Sequence, residues 1–161
     1  MAVDPGPSQG MGGGAADQLQ MLLVDRRPLF LAALAELLTS ARPQARVEST
    51  TDSERAVELV SRTPIHLVFC DVRAQPLGGP ELVARVNSQN RSTRVILLGD
   101  ADEDGALLID SLSCGAHGFF TKSASPEEFL EGVDAVLAGH TVVGRDLVHY
   151  GPNPGQPPRG N

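Results

Sequence analysis

Short unbroken apolar runs alternate along this chain with longer stretches in which apolar residues recur every three or four positions. The first pattern predicts buried strands and the second amphipathic helices. Residues 19–24 form the first run, apolar but for one glutamine. Pro28 suits a first helical turn, and Leu29, Phe30, Ala33, Leu34, Leu37 and Leu38 make a stripe that stops before Pro43. Residues 45–49 read as a weak strand. Thr51-Asp52-Ser53-Glu54 has the spacing of a capping box and opens a helix that buries Ala56, Val57 and Val60. Residues 65–70 are an apolar strand apart from His66, and a Pro/Gly-rich loop leads from them to a short helix from Pro80 with Leu82, Val83 and Val86 inward. Residues 95–98 form the fourth buried strand. Residues 103–114 predict a helix closed by Gly115, and Gly118–Thr121 the fifth strand. Ser125-Pro126-Glu127-Glu128 joins a capping box to a first-turn proline. The last helix runs through Phe129, Leu130, Val133, Val136 and Leu137, and Gly139 ends it.

Five strands alternating with five helices predict an α/β fold whose parallel sheet is covered on both faces. Right-handed crossovers bring every strand C-terminus to one edge, where open α/β sheets bind their ligands. That edge collects Asp25, Arg26, Asp71, Gly99, Asp100 and Lys122.

Composition sharpens one of these positions. Twelve of the thirteen basic residues are arginine, and Lys122 is the single lysine. A chain so biased toward arginine keeps a lysine where a compact ammonium is needed and a planar guanidinium does not serve. The 161 residues suffice for one domain with a sizeable core. Residues 1–18, rich in Gly, Pro, Ala and Ser, read as a flexible tail, and residues 150–161 as an extended Pro/Gly-rich linker or tail. The net charge of −7 lies almost wholly in the body between them, which makes that body a poor binder of nucleic acid on its own. No apolar run reaches the length of a membrane span and no signal peptide is visible, so the reading is a cytoplasmic protein with no membrane partner. Cys70 and Cys114 lack metal-ligand spacing and read as buried, reduced packing residues. His66, His117, His140 and His149 show no metal spacing either, and His66 reads as a satisfied core or edge histidine. Gly12-Gly13-Gly14 precedes a strand, whereas a phosphate-cradling loop follows one.

Three segments carry a resemblance. Met21-Leu22-Leu23-Val24-Asp25-Arg26-Arg27-Pro28, Leu67-Val68-Phe69-Cys70-Asp71-Val72-Arg73, and Gly118-Phe119-Phe120-Thr121-Lys122 with Ser125-Pro126-Glu127-Glu128 stand in order on the expected pattern. Residues 19–149 thereby resemble the receiver domain of bacterial two-component response regulators, nearest the LuxR/NarL-type subgroup that carries a helix-turn-helix output domain. The resemblance implies a flavodoxin-like (CheY-like) doubly wound sheet of five strands in the order 2-1-3-4-5 with five helices. It implies a phosphorelay in which Asp71 matches the phosphoacceptor, Asp25 the first of two acidic Mg²⁺ ligands and Lys122 the lysine that reads the phosphoryl group. Hard carboxylate ligands suit Mg²⁺, which neutralises charge as it develops.

Four positions depart from that pattern. The second acidic position is Arg26, the Ser/Thr position is Gly99, the switch aromatic is Phe119 without a hydroxyl, and the usual Met-Pro after the phosphoacceptor is Ala74-Gln75. Asp25 and Asp71 are then balanced by Arg26 and Lys122. An arginine in ligand space repels a cation, so Mg²⁺ at Asp25 and Asp71 is expected to be weak or lost, and no other cofactor is implied. Asp100 offers a replacement carboxylate if it faces the pocket.

The leading reading is an atypical receiver, not an enzyme, that controls transcription through a DNA-binding output domain outside this chain. Its expected partners are a histidine kinase, a second copy of itself, and DNA only through that output domain. A stand-alone receiver sensing a protein or a small acidic molecule at Arg26 and Lys122 is the alternative, separable by a thermal-shift screen. An aspartate-nucleophile phosphatase needs a second carboxylate where Arg27 stands, and a phosphatase assay separates it.

Overall fold

Hydrophobic runs become strands and striped segments become helices in the computed structural model, which describes residues 18–150. In chain order the elements are β1 (Gln20–Val24), α1 (Pro28–Ala41), β2 (Arg46–Thr50), α2 (Ser53–Arg62), β3 (Leu67–Asp71), α3 (Gly79–Gln89), β4 (Arg94–Gly99), α4 (Gly105–Asp110), β5 (Gly118–Thr121), α5 (Pro126–Leu137) and β6 (Val142–Val143), followed by a 3₁₀ helix at Arg145–Tyr150. The sheet is parallel in the order β2-β1-β3-β4-β5-β6. It holds six strands rather than the five expected. The extra one is two residues long, too short to show a periodicity.

Alternation along the strands divides the core into two layers. Leu22, Val24, Val68, Cys70, Val95, Leu97 and Phe119 face one way, against α2, α3 and α4. Met21, Leu23, Leu67, Phe69, Ile96, Leu98 and Phe120 face the other, against α1 and α5. The rings of Phe69 and Phe120 meet Phe129 of α5 at 5.7 and 5.4 Å between centroids. Gly132 lets α5 lie this close: a Cβ there would stand 2.1 Å from Phe120 Cζ.

Helix starts follow the expected chemistry with one shift. Pro28 and Pro126 occupy first-turn positions, and Ser125 Oγ accepts the Glu128 N–H at 3.1 Å. The cap of α2 is Asp52, not Thr51: its Oδ1 accepts the N–H groups of Glu54 and Arg55 at 2.9 and 3.2 Å. A carboxylate there also meets the positive end of the helix dipole. Ser53 turns inward instead and accepts the Leu77 N–H at 2.7 Å.

Three expectations are corrected. The sheet-facing stripe of α1 is Leu31, Leu34 and Leu38, and Leu29 is 84% exposed. The helix is apolar around most of its girth, so more than one stripe fits its sequence. The segment 103–114 holds only six helical residues, Gly105–Asp110. Ser111 ends it by bonding its hydroxyl back to Leu107 O at 2.8 Å, a local bond that competes with helix propagation. Gly115, at φ +101°, and Gly139, at φ +106°, turn the chain where expected. Cys70 is buried, whereas Cys114 is only partly so.

Past α5 the chain returns along β5. Val142 N–H bonds His117 O at 2.9 Å and Gly144 N–H bonds Phe119 O at 2.7 Å. Leu147 then inserts, fully buried, into the layer that holds Phe119 and Leu108. Leu147→Ala is therefore expected to cost about 2–5 kcal/mol, measured by urea unfolding. A loss under 1 kcal/mol would mean that the 3₁₀ segment does not belong to the core.

Candidate functional site

Parallel pairing of β1 with β3 sets Val24 opposite Cys70, so Asp25 and Asp71 stand side by side at the strand ends. They are only 1% and 2% exposed. The end of β5 supplies the cation. Lys122 N–H bonds Gly99 O at 2.8 Å, anchoring its backbone to β4. Its side chain reaches across the sheet edge. Lys122 Nζ donates to Asp25 Oδ2 at 2.6 Å and lies 3.7 Å from Asp71 Oδ2. It also stands 4.2 Å from the centroid of the Phe30 ring, a favourable cation–π distance. The other oxygen of Asp25 accepts the Arg27 N–H at 2.8 Å. Among the described residues no buried side-chain polar atom lacks a partner.

Asp71 pays for its position with a raised pKa. Burial is the main cause, the charge of Asp25 adds to it, and the Lys122 ammonium and the Arg73 N–H oppose it without prevailing. A carboxyl that resists ionisation is a weaker nucleophile and a weaker metal ligand at a given pH.

The structure brings together Asp25, Asp71 and Lys122, and it separates others. Arg26 is exposed and makes no hydrogen bond or ion pair with a described residue. It does not stand between the two carboxylates, where the ammonium of Lys122 lies. The position after a strand end alternates outward, which turns residue 26 away from the face that residue 25 addresses. Gly99 is buried at the end of β4, as expected, with no side chain to offer a phosphoryl oxygen. Phe119 is fully buried under Leu147 and α4. Asp100 turns one oxygen to its own loop, Oδ1 accepting the N–H groups of Asp102 and Glu103 at 2.9 and 3.2 Å, and no group of three or more acidic, histidine or cysteine donors forms among the described residues. His66 is satisfied, its Nδ1 accepting the Gln20 N–H at 3.0 Å.

Two residues at the mouth escaped the sequence reading. Arg73 Nε donates to Asp104 Oδ1 at 2.5 Å. Asp104, 4% exposed, also accepts the Asp100 N–H at 2.8 Å. Their signal in the sequence was faint: an arginine two places after Asp71, and an acidic residue at the start of a helix that was placed too early.

Comparison with known proteins now bears on the site. Residues 21–134 match the family described as the response regulator receiver domain. The chain belongs to the response-regulator receiver family. The receiver is 32% identical over 139 residues to Transcriptional activator protein ExaE of Pseudomonas putida, covering 84% of this chain and 64% of that protein. It is 27% identical over 132 residues to Probable transcriptional regulatory protein NarL of Mycobacterium tuberculosis, covering 82% and 61%. The chain thus spans about three-fifths of the length of such relatives. Among solved structures, a LuxR-family two-component response regulator from Aurantimonas superposes with a TM-score of 0.71 at 25% identity, covering 82% of this chain and 94% of that one. These relatives are response regulators of the LuxR/NarL type on a CheY-like fold.

The Mg²⁺ that receivers of this family are expected to use fits these residues poorly. Only Asp25 and Asp71 converge, and both face the Lys122 ammonium. The second acidic position carries an exposed arginine, and among the described residues no group of three or more acidic, histidine or cysteine donors is gathered for a metal.

Two outcomes follow from this charge arrangement. Lys122→Met leaves two buried carboxylates with no cation and should destabilise the receiver by about 3–5 kcal/mol, read by chemical unfolding; a loss under 1 kcal/mol would contradict the ion pair. Asp71→Asn should act in the opposite direction. The raised pKa of Asp71 makes its contribution to stability full below the ordinary aspartate value and progressively lost as pH rises through the folded-state value. The amide has no such loss. The variant should melt a few degrees above the parent at neutral pH, and the gain should vanish in acid.

Proposed function

We propose that this domain is the atypical receiver of a LuxR/NarL-type transcriptional regulator, and that its state is set without Mg²⁺-dependent phosphorylation of Asp71. The observation that carries the reading is the lack of a third carboxylate beside Asp25 and Asp71: the second acidic position holds the exposed Arg26, and both aspartates pair with Lys122 alone. Asp71 is the phosphoacceptor-equivalent position, Asp25 the remaining acidic ligand position and Lys122 the pocket lysine. Here the lysine neutralises the carboxylates directly, and Gly99 offers no hydroxyl with which to read a modification. In the whole protein the receiver would govern a DNA-binding output domain of the kind that such regulators carry. Self-association through α1 and α5 is supported by the exposed Leu29, and a symmetric dimer suits two-fold DNA sites. A histidine kinase remains a partner by docking rather than by phosphoryl transfer.

A second reading, a receiver that senses a small molecule, is favoured by one feature. A cavity of about 200 Å³ lies between α1 and α5, lined by Phe30, Leu34, Leu37, Leu98 and Phe129, with Lys122 at its polar end. An apolar molecule seated there would bear on the Lys122–Phe30 contact. The phosphatase reading gains no support: Arg27, where the second carboxylate would stand, is exposed.

Acetyl phosphate with Mg²⁺ tests the proposal. Intact-mass measurement should find the purified receiver essentially unmodified. Stoichiometric addition of a phosphoryl group at Asp71 would overturn it.

A further inference from the structure

Beside Asp71 a pair of side chains joins two different loops. Arg73 lies in the loop after β3, and its N–H bonds Asp71 Oδ1 at 3.3 Å. Asp104 caps the start of α4, with its N–H on Asp100 O at 2.8 Å and its carbonyl on the Leu108 N–H at 2.8 Å. The Asp104 carboxylate uses both oxygens, one for Arg73 Nε and one for the Asp100 N–H. A single buried carboxylate therefore ties the loop after β3 to the loop after β4.

Gly99 makes this arrangement possible. A Cβ at residue 99 would stand 2.8 Å from Asp104 Cβ and 2.9 Å from Leu108 Cδ1. Contacts that short force a neighbour to move. The glycine is thus more than a missing hydroxyl: it vacates the space into which Asp104 and the start of α4 settle. Electrostatics agree with the geometry. Burial disfavours the ionised form of Asp104. The Arg73 hydrogen bond, the Asp100 N–H and the charges of Arg73 and Lys122 outweigh that effect and hold its pKa below the usual aspartate value.

We propose that Arg73, Asp104 and Gly99 form a built-in latch that fixes the loop after β4 against the loop after β3. In the reading given above, nothing attached to Asp71 sets the position of the β4 loop. The latch supplies that position from the sequence itself. Release of Arg73 from Asp104 would free the β4 loop together with α4, which starts at Asp104. Leu147 and Phe119 pack in the same layer as Leu108 of α4, so the motion reaches the segment after α5. The inference rests on the phosphorylation-independent reading of the site.

Amide hydrogen exchange tests it, compared among the parent chain, Arg73→Ala, Arg73→Lys and Gly99→Ser. Arg73 is half exposed, which limits the strength of its ion pair. Arg73→Ala should speed exchange across residues 100–108 by about three- to tenfold with β1 and β3 unchanged. Arg73→Lys should recover part of the protection, and Gly99→Ser should loosen the same segment even with Arg73 present. Unchanged exchange at residues 100–108 in Arg73→Ala would overturn the latch. So would acceleration spread evenly over the whole sheet, which signals general destabilisation. The parent's response to acetyl phosphate separates the two ideas. A parent modified at Asp71 defeats the functional reading, whereas an unmodified parent whose Arg73→Ala variant keeps a protected β4 loop defeats the latch alone.

Discussion

Two carboxylates lie almost wholly out of solvent at adjacent strand ends, and one ammonium is shared between them. Burying a single carboxylate without a partner is costly, and burying two side by side adds their mutual repulsion. Lys122 offsets both, at 2.6 Å from Asp25 and 3.7 Å from Asp71. To do so it must be supplied from β5, while the aspartates come from β1 and β3. The parallel register sets Asp25 beside Asp71, and the Lys122 N–H bond to Gly99 O fixes the end of β5 from which the ammonium reaches them. The compensation is incomplete, since Asp71 keeps a raised pKa, so the edge of the sheet carries residual strain of an electrostatic kind. Sites of function commonly hold such tension.

Much of this was legible in the sequence because its signals were local. Apolar runs gave β1, β3 and β4 to within two residues, since runs this short, bounded by turn residues, suit strands buried on both faces better than helices. The pairing of Ser125 with Pro126 marked the start of α5 for the same reason. Asp25, Asp71 and Lys122 could be brought together because parallel topology delivers every strand end to one edge. What failed to show was non-local or too short. Two residues of β6 carry no periodicity, and Leu147 is an ordinary leucine until the chain has doubled back along β5. The segment 103–114 looked helical by composition, yet Asp100 and Ser111 use their side chains on the nearby backbone and confine the helix to six residues. The position of Arg26 after β1 is compatible with a pocket-facing or a solvent-facing side chain, and the residue is exposed. The pair of Arg73 and Asp104 joins residues 31 apart, and no local rule couples them.

The departures from the receiver pattern make one consistent set. At position 26 an arginine stands where the pattern has a second acidic residue, so Asp25 and Asp71 are the two carboxylates that pair with Lys122. Loss of a side chain at position 99 removes the group that would read a phosphoryl oxygen and opens the space that Asp104 fills. Both positions support the proposed phosphorylation-independent reading: one leaves the pocket without a third carboxylate and the other without a hydroxyl.

The central claim is that Asp25 and Asp71, paired with Lys122 and joined by no third carboxylate, do not hold Mg²⁺. A magnesium titration of the unaltered protein, followed by amide chemical shifts at residues 25, 71 and 122, tests it directly. The account predicts no saturable shift at those residues up to millimolar Mg²⁺. A saturable shift shared by Asp25 and Asp71, with Lys122 moving in step, would contradict it.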